Sequence, residues 1–289
     1  MNQTQQILFD EPGPRARRRI RIATVLGAVA VAAGVAWAVH QFGRYGELAA
    51  ERWQPFTTWP IWRYLLDGLW ATVRAAAATA VLSAALGLLL ALGRLSERRP
   101  LRWLAAAYVE VFRTVPVLLL IYVTLFALPQ YGINFSLFWK LVVPLVVANA
   151  AAFAEIFRAG ILALDRGQTE AGLAVGLRRG QVMRLVVLPQ ALLRLAPSLV
   201  SQLVGLLKDT SLGFVVSYTE LLYSGQVLST YTHLLIQTFL VIALIYLAVN
   251  ASLSKVARVL QARNGRPTRR RTGAPEPEAP LLISGGTAR

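Results

Sequence analysis

The amino-acid sequence predicts an all-α integral membrane protein with six transmembrane helices. Hydrophobic residues make up 56% of its 289 residues and charged residues only 15%, whereas soluble domains carry about 25% charged residues. The mean hydropathy is +0.52. Uncharged apolar runs recur along the chain, and several approach the roughly 20 residues that cross a bilayer as a helix. Basic residues cluster at the ends of these runs, as they do beside membrane spans.

Each predicted span is an apolar run with polar or basic residues at its ends. The first run follows a basic segment and is rich in Ala and Val. The second and third have uncharged cores that we expect to extend towards the N-terminus. The fourth carries Glu155 and Arg158 near its end, and the fifth contains Arg194. The six predicted spans are residues 22–40, 65–93, 101–126, 141–164, 186–207 and 234–253.

The basic residues also predict the orientation, because cytoplasmic segments carry an excess of Lys and Arg. With both termini in the cytoplasm, the outer segments hold only Arg44, Arg52, Arg63 and Lys140. The last segment is rich in Arg, Pro and Gly without an apolar period, so we expect it to be disordered. The chain then divides into a basic cytoplasmic segment, an extra span, an extracytoplasmic linker, a five-helix domain with a cytoplasmic loop and a basic cytoplasmic tail. These parts are residues 1–21, 22–40, 41–64, 65–262 with the loop at 165–187, and 263–289.

The composition narrows the chemistry open to this chain. It has no cysteine, which excludes a disulfide framework and a thiol nucleophile. Its two histidines cannot by themselves supply a conventional zinc site. The formal net charge is +16, but its clustering beside apolar runs indicates membrane topology rather than nucleic-acid binding. We therefore expect no metal or cofactor on this chain and no nucleic acid partner.

The charged loop at 165–187 interrupts two apolar runs. Residues 168–175 are good helix formers with one apolar side, and Gly176 allows a sharp turn. Helical character resumes over 177–187, and Pro189 fits the first turn of the next span. This pattern predicts two short helices across the membrane face that expose Arg178, Arg179 and Arg184. The residues alone leave two functions open, a docking surface for a protein or an amphipathic loop on lipid headgroups.

The same loop resembles the Glu-Ala-Ala signature of bacterial ATP-binding-cassette importer permeases. That signature is Glu-Ala-Ala, three residues, Gly, nine residues, Ile, one residue and Leu-Pro. All its spacings are kept here by Glu170, Ala171, Gly172, Gly176, Val186, Leu188 and Pro189. Gly172 replaces the second Ala and Val186 replaces Ile, so a small residue stays where close packing is expected.

The flanking segments resemble the polar amino-acid uptake permeases, the His/Gln/Glu/Arg/opine type. These segments are residues 109–122, 154–172 and 186–212. The Arg-Gly-Thr-Pro that is common in that family departs at two places here, where the chain reads Arg-Thr-Val-Pro from Arg113. The extra first span and residues 7–19 further resemble a permease subunit of a glutamate uptake system.

This resemblance implies a transport subunit of the bacterial cytoplasmic membrane, and not an enzyme. The implied partners are an ATP-binding-cassette ATPase dimer carrying ATP and Mg²⁺, a second permease subunit, an extracytoplasmic solute-binding protein and an amino acid. Glutamate or another acidic amino acid is the implied substrate, with Gln, His or Arg as alternatives. The implied contacts to the ATPase are Glu170, Ala171, Gly172, Gly176, Leu177, Arg178 and Arg179. No lysine follows a glycine, so the ATPase motif Gly-Lys-Ser/Thr lies on another chain.

Charges within the predicted spans require a reason, because a charge in the bilayer is costly. Glu155 and Arg158 are three residues apart, and we predict a structural ion pair. Glu110 and Arg113 have the same spacing and can pair in the same way. Arg74 has no acidic neighbour on its helix, so its partner is another helix, water, another subunit or a substrate carboxylate. The residues that we predict along a substrate path are Arg74, Glu110, Arg113, Lys208, Asp209, Thr210 and Ser211.

Two other classes of protein stay open at this point. An intramembrane serine protease would need a Ser and a His at matching depth, and the candidates are His233 with Ser224 or Ser229 in a predicted outer loop. No Gly-x-Ser-x-Gly elbow accompanies them. A stand-alone channel or secondary carrier would not need the loop described above.

Overall fold

The computed structural model describes residues 13–264, in which every regular element is helical. Short 3₁₀ helices lie at Gln54–Thr57 and Thr210–Val216, and π turns lie at Val123–Ala127 and Met183–Val187. The α-helices are α1 (Pro14–Arg44), α2 (Ala50–Trp53), α3 (Trp59–Arg94), α4 (Arg99–Thr114), α5 (Val117–Tyr122), α6 (Leu128–Gln130), α7 (Leu137–Leu162), α8 (Arg166–Ala174), α9 (Arg179–Val182), α10 (Leu188–Asp209), α11 (Leu221–Thr232) and α12 (Leu235–Asn264).

Five of the described helical segments are long and apolar enough to cross a membrane, which confirms the all-α membrane class. They are Pro14–Arg44, Trp59–Arg94, Leu137–Leu162, Arg179–Val216 and Leu235–Val259. Helix α1 runs from Pro14 to Arg44 and so extends beyond the predicted extra span, residues 22–40, at both ends. The predicted tail from residue 265 onwards, and residues 1–12, lie outside the described residues.

The third predicted span, residues 101–126, is not one straight helix. Helix α4 and the segment Val117–Gln130 meet at 98°. Pro116 explains the break, because a proline ring disfavours the helical conformation of the residue before it. Val115 is accordingly extended, with φ −75° and ψ 123°, and α4 ends at Thr114. The chain has six spans if this bent pair counts as one.

Both π turns come directly before a Leu-Pro pair, Leu128-Pro129 and Leu188-Pro189. A proline lacks an N–H and its ring clashes with the carbonyl one turn earlier. A wider turn at that point accommodates the proline without ending the helix. The helix that begins at Arg179 therefore continues into α10. This corrects the prediction of a separate second helix across the membrane face.

Helix α7 lies at the centre and makes the largest helix–helix contact of the described chain with α3. At one point the two backbones approach closely. A Cβ on Gly87 would lie 2.6 Å from the Cβ of Phe153, so only glycine permits this distance. Helix association in lipid depends on such close packing, because lipid tails are as apolar as the side chains they would replace.

Helix α11 occupies the segment that was predicted as an outer loop. It is capped by Glu220, whose carboxylate accepts hydrogen bonds from the backbone N–H groups of Leu222 (3.0 Å) and Tyr223 (2.8 Å). It ends at Thr232, and the next residue, His233, has a left-handed φ of 55°. Glutamate is not among the preferred N-cap residues, which explains why the helix start was missed.

Helix α1 has no buried residue, yet the linker that follows it is held to the bundle. The amide of Gln237 on α12 donates to the Glu47 carbonyl (2.8 Å) and to its carboxylate (3.0 Å). Arg52 adds a 2.6 Å ion pair to the same carboxylate. The linker thus fixes the end of α1 beside the start of α12.

Candidate coupling site and intramembrane polar clusters

Residues 165–187 form a helical hairpin (the hairpin). Asp165 begins it, since its side chain accepts a hydrogen bond from the Gly167 N–H (2.8 Å) and caps α8. After α8, Gly176 adopts a left-handed φ of +86°. The next N–H, from Leu177, donates to the Gly172 carbonyl (3.2 Å), which closes a glycine-type helix end. The predicted helix and glycine turn are confirmed here.

Gly172 is the point where the two arms of the hairpin touch. It is buried, and a Cβ in its place would lie 2.9 Å from Cγ2 of Val182 on α9. Alanine would therefore require Val182 to shift. Glycine at this position therefore leaves the room that Val182 occupies.

The base of the hairpin is packed onto the ends of two spanning helices. Val182 and Val187 share a buried cluster with Ile161, Leu164 and Ala191, from the end of α7 and the start of α10. Leu177 packs against the same cluster from the turn. The hairpin is therefore packed directly against the ends of α7 and α10.

The opposite side of the hairpin is exposed. Leu173 is 39% exposed and Val175 is 77% exposed, and both lie near the charged Glu170 and Arg178. An apolar strip with a charged rim is typical of a protein-docking surface. The predicted contact residues divide accordingly: Gly172 is buried and Leu177 half-buried, while Glu170, Ala171, Gly176, Arg178 and Arg179 are exposed.

The end of the bundle that carries the hairpin also holds a charge cluster around Glu155. The predicted ion pair with Arg158 is confirmed, with Nε 3.3 Å from the carboxylate. Two further arginines reach the same carboxylate, Arg94 from the end of α3 and Arg113 from the end of α4 (3.4 Å). The local pair predicted between Glu110 and Arg113 was therefore wrong, because Arg113 pairs with Glu155 of α7 instead.

Arg74 has its partners on other elements. Its guanidinium donates to the Tyr218 hydroxyl (3.2 Å) and lies 5.2 Å from the ring centroid of Phe138. The Tyr218 hydroxyl in turn donates to the Ala71 carbonyl (3.2 Å). Arg74 is exposed at a mid-span position of α3. Its predicted role on a substrate path stays a prediction.

The polar residues at the end of α10 have mixed surroundings. Thr210 is buried and donates to the Leu207 carbonyl, while Ser211 donates to the Lys208 carbonyl, each at 2.7 Å. These two hydroxyls therefore complete the helix end. Asn149 of α7 accepts a hydrogen bond from the Gln202 amide of α10 (3.0 Å). A polar contact thus joins α7 and α10, and the predicted role of Asp209 on a substrate path stays a prediction.

Glu220 is a buried carboxylate that sequence reasoning overlooked. Besides capping α11, it accepts a hydrogen bond from the Tyr246 hydroxyl of α12 (3.0 Å). The Thr72 hydroxyl of α3 lies 3.5 Å away and itself accepts from the Leu221 N–H (3.0 Å). One carboxylate thereby joins α3, α11 and α12. No local sequence signal identifies these partners.

The serine and histidine candidates are not arranged for nucleophilic catalysis. Ser224 and Ser229 are buried in α11, whereas His233 is exposed at its end. The Ser229 hydroxyl donates to the Gln226 carbonyl (2.9 Å). Among the described residues, no group of His, Asp and Glu is placed to hold a metal ion.

The described chain is thus a bundle of apolar spans with a helical hairpin packed at one end. The chain belongs to the family described as "binding-protein-dependent transport system inner membrane component", whose model matches residues 57–266. It is 38% identical over 241 residues to the "glutamate transport system permease protein GluD" of Corynebacterium glutamicum, covering 81% of this chain and 88% of that protein. It is also 38% identical over 203 residues to the "probable glutamine ABC transporter permease protein GlnP" of Bacillus subtilis, covering 69% and 93%.

A solved structure described as an "amino acid ABC transporter with histidines" has a similar fold. It matches with a TM-score of 0.65 and 29% sequence identity, over 70% of this chain and 94% of that one. The sequence-based family assignment is thus confirmed. The extra helix α1 lies outside the matched family model, which begins at residue 57.

Proposed function

We propose that this chain is the permease subunit of an ATP-driven amino-acid importer, and that glutamate or another acidic amino acid is its substrate. The observation that carries the proposal is the identity of 38% to the glutamate permease GluD across 81% of the chain. The glutamine permease GlnP is as similar over a shorter stretch, so glutamine is the second candidate.

The hairpin supports a mechanism of coupling to a separate ATPase. ATP and Mg²⁺ bind to that ATPase, and the exposed strip at Leu173 and Val175 inserts into it. Because α9 continues into α10 through the π turn, movement of the docked ATPase is passed on to a spanning helix. The contact of Gly172 with Val182 keeps both arms together during that movement. The hairpin then lies in the cytoplasm, with both chain termini on the same side.

The opposite end of the bundle then meets an extracytoplasmic solute-binding protein, and a second permease subunit completes the path. An exposed arginine at mid-span must face water, another subunit or a ligand, because it is too costly to leave in lipid. Arg74 meets this condition, and Tyr218 and Phe138 orient its guanidinium. We assign it to attract the substrate carboxylate where two permease subunits meet.

Reconstituted vesicles containing the permeases, the ATPase and the binding protein test this proposal. We expect ATP-dependent uptake of labelled glutamate, and competition by aspartate that exceeds competition by arginine or histidine. Uptake of glutamine with no uptake of glutamate would keep the importer class and overturn the substrate. No amino-acid uptake by an assembled complex would overturn both.

The coupling role has its own test in the charge reversal Glu170→Arg. We expect loss of uptake and loss of ATPase co-purification, because Glu170 lies on the exposed docking side. The matched control is Glu51→Arg, which reverses an exposed glutamate in the linker after α1. Equal ATPase co-purification by both variants would contradict the proposed docking side.

A further inference from the structure

The hairpin end of the bundle contains a cavity with an excess of positive charge. The cavity measures about 310 Å³. Its lining residues are Arg94, Leu95, Arg102, Trp103, Ala106 and Arg158. They come from the end of α3, the first half of α4 and the last part of α7, so three helices build it.

The charges at this cavity do not balance within the described chain. The Glu155 carboxylate forms ion pairs with Arg94, Arg113 and Arg158. The side chain of Arg102 makes no hydrogen bond or ion pair among the residues that the structure describes. The nearby acid Glu97 is paired with Arg179 of the hairpin instead. Three guanidinium groups therefore share one carboxylate, and the Arg102 guanidinium has none among the described residues.

The arginines that line the cavity have N–H donors that are not used by Glu155. A guanidinium has five N–H donors in a planar fork. Arg94 reaches Glu155 through Nη1 and Arg158 through Nε, which leaves their other N–H groups for a second acceptor. Together with Arg102, they form a set of planar donors that suits a phosphate group better than a single carboxylate.

The surroundings of the cavity are apolar on the side away from the arginines. Trp103 is 72% exposed and Leu104 is 71% exposed on α4. Leu101, Leu104 and Val111 are exposed and share one face of that helix, whereas Ala105 and Val109 form its buried face. Exposed tryptophan beside an exposed apolar stripe is typical of the headgroup level of a bilayer.

We propose that this cavity binds the phosphate of an anionic phospholipid in the leaflet at the hairpin end. Arg94, Arg102 and Arg158 donate to the phosphate, Trp103 lies at the headgroup level, and the acyl chains run along the apolar stripe of α4. The bound lipid supplies the negative charge that the protein lacks here. It also bridges α3, α4 and α7 beside the hairpin.

The test is lipid binding by the purified permease complex, measured by native mass spectrometry with phosphatidylglycerol or phosphatidylcholine added. We expect Arg102→Gln to weaken phosphatidylglycerol binding by about tenfold, because it removes a charge-assisted hydrogen bond. The matched control is Arg99→Gln on the same helix, which removes the same charge from an exposed residue outside the cavity lining. Phosphatidylcholine should bind weakly to all three proteins.

A second variant keeps the test independent of folding. Arg102→Lys retains the charge but not the planar fork, so its phosphatidylglycerol affinity should lie between that of the wild type and Arg102→Gln. Equal weakening of phosphatidylglycerol binding by Arg99→Gln and Arg102→Gln would overturn the proposal. It would indicate a general electrostatic attraction of the lipid to the protein surface. Displacement of the lipid by inorganic phosphate would identify a free-ion site instead. Loss of the ATPase from Arg102→Gln with lipid binding intact would identify an acidic protein partner.

Discussion

Two glutamates inside the bundle, Glu155 and Glu220, are stabilised in opposite ways. Glu155 is surrounded by guanidinium groups from three helices and is 25% exposed at its side chain. Glu220 is fully buried and receives only backbone N–H groups and hydroxyls. Charge pairs next to solvent can be broken and remade at low cost, whereas a buried capping network cannot lose a member without leaving polar groups unpaired.

This difference fits the proposed mechanism, in which the hairpin end of the bundle moves. The Glu155 cluster lies at that end, where the proposed coupling would require α3, α4 and α7 to shift with the ATPase. The Glu220 network joins α3, α11 and α12. We infer that the first is an adjustable contact and that the second is a fixed clamp.

The largest expected effect is the loss of stability in Glu220→Ala. The substitution leaves the N–H groups of Leu222 and Tyr223 and the Tyr246 hydroxyl unpaired in a buried site. We expect a cost of roughly 3 kcal/mol in the free energy of unfolding, measured by denaturant titration in detergent. Glu220→Gln should cost less, because its amide oxygen can still accept from the backbone. A loss below that of an exposed control such as Glu51→Ala would contradict the clamp.

We expect Glu155→Gln to lower the free energy of unfolding less than Glu220→Ala does. We expect it to impair the coupling of ATP hydrolysis to transport more. Its arginines stay partly exposed, so water compensates for the missing charge, and we expect a loss of about 1 kcal/mol. The ratio of ATP hydrolysed to substrate transported should rise, since three helices lose their common anchor. An unchanged ratio together with a stability loss as large as that of Glu220→Ala would show that both glutamates are clamps.

Gly172→Ala tests the hairpin contact that lies next to the Glu155 cluster. The new methyl group overlaps Val182, and we expect about 1 kcal/mol of strain and reduced coupling. The double variant Gly172→Ala with Val182→Ala should recover coupling, because the smaller side chain makes room. The measurement is transport per ATP for both single variants and the double variant. No recovery of coupling in the double variant would show that the overlap with Val182 is not the cause of the defect.

The smallest effect is expected at the ion pair between Arg179 and Glu97. Both side chains are 75% exposed, and such pairs contribute about 0.5 kcal/mol or less. Arg179→Gln should therefore leave the unfolding free energy nearly unchanged. If Arg179 contacts the ATPase as predicted, ATPase affinity falls while stability does not. A matched Glu97→Gln variant separates the two effects, because it breaks the pair and leaves Arg179 in place.

Several features could be predicted because their signals are local in the chain. Apolar length and basic ends identified the spans. Helix-forming residues and Gly176 identified the first arm of the hairpin and its turn, and motif spacing identified the family. The Glu155–Arg158 pair follows from a separation of three residues on one helix. The bend after Thr114 also has a local cause, which is Pro116. The bend was not predicted, because the apolar composition continues on both sides of the proline.

The sequence by itself therefore determined the membrane class, the first arm of the hairpin with its glycine turn, and the family, since these depend on neighbours along the chain. Only the tertiary structure decided which distant groups meet. Arg94 lies 61 residues from Glu155, Thr72 lies 148 residues from Glu220, and Arg74 lies 144 residues from Tyr218. A charged side chain is compatible with many partners, and helix packing selects one of them. The physical reason is that packing between helices is set by close contacts such as Gly87 on Phe153 and Gly172 on Val182, which have no periodic signal in the sequence.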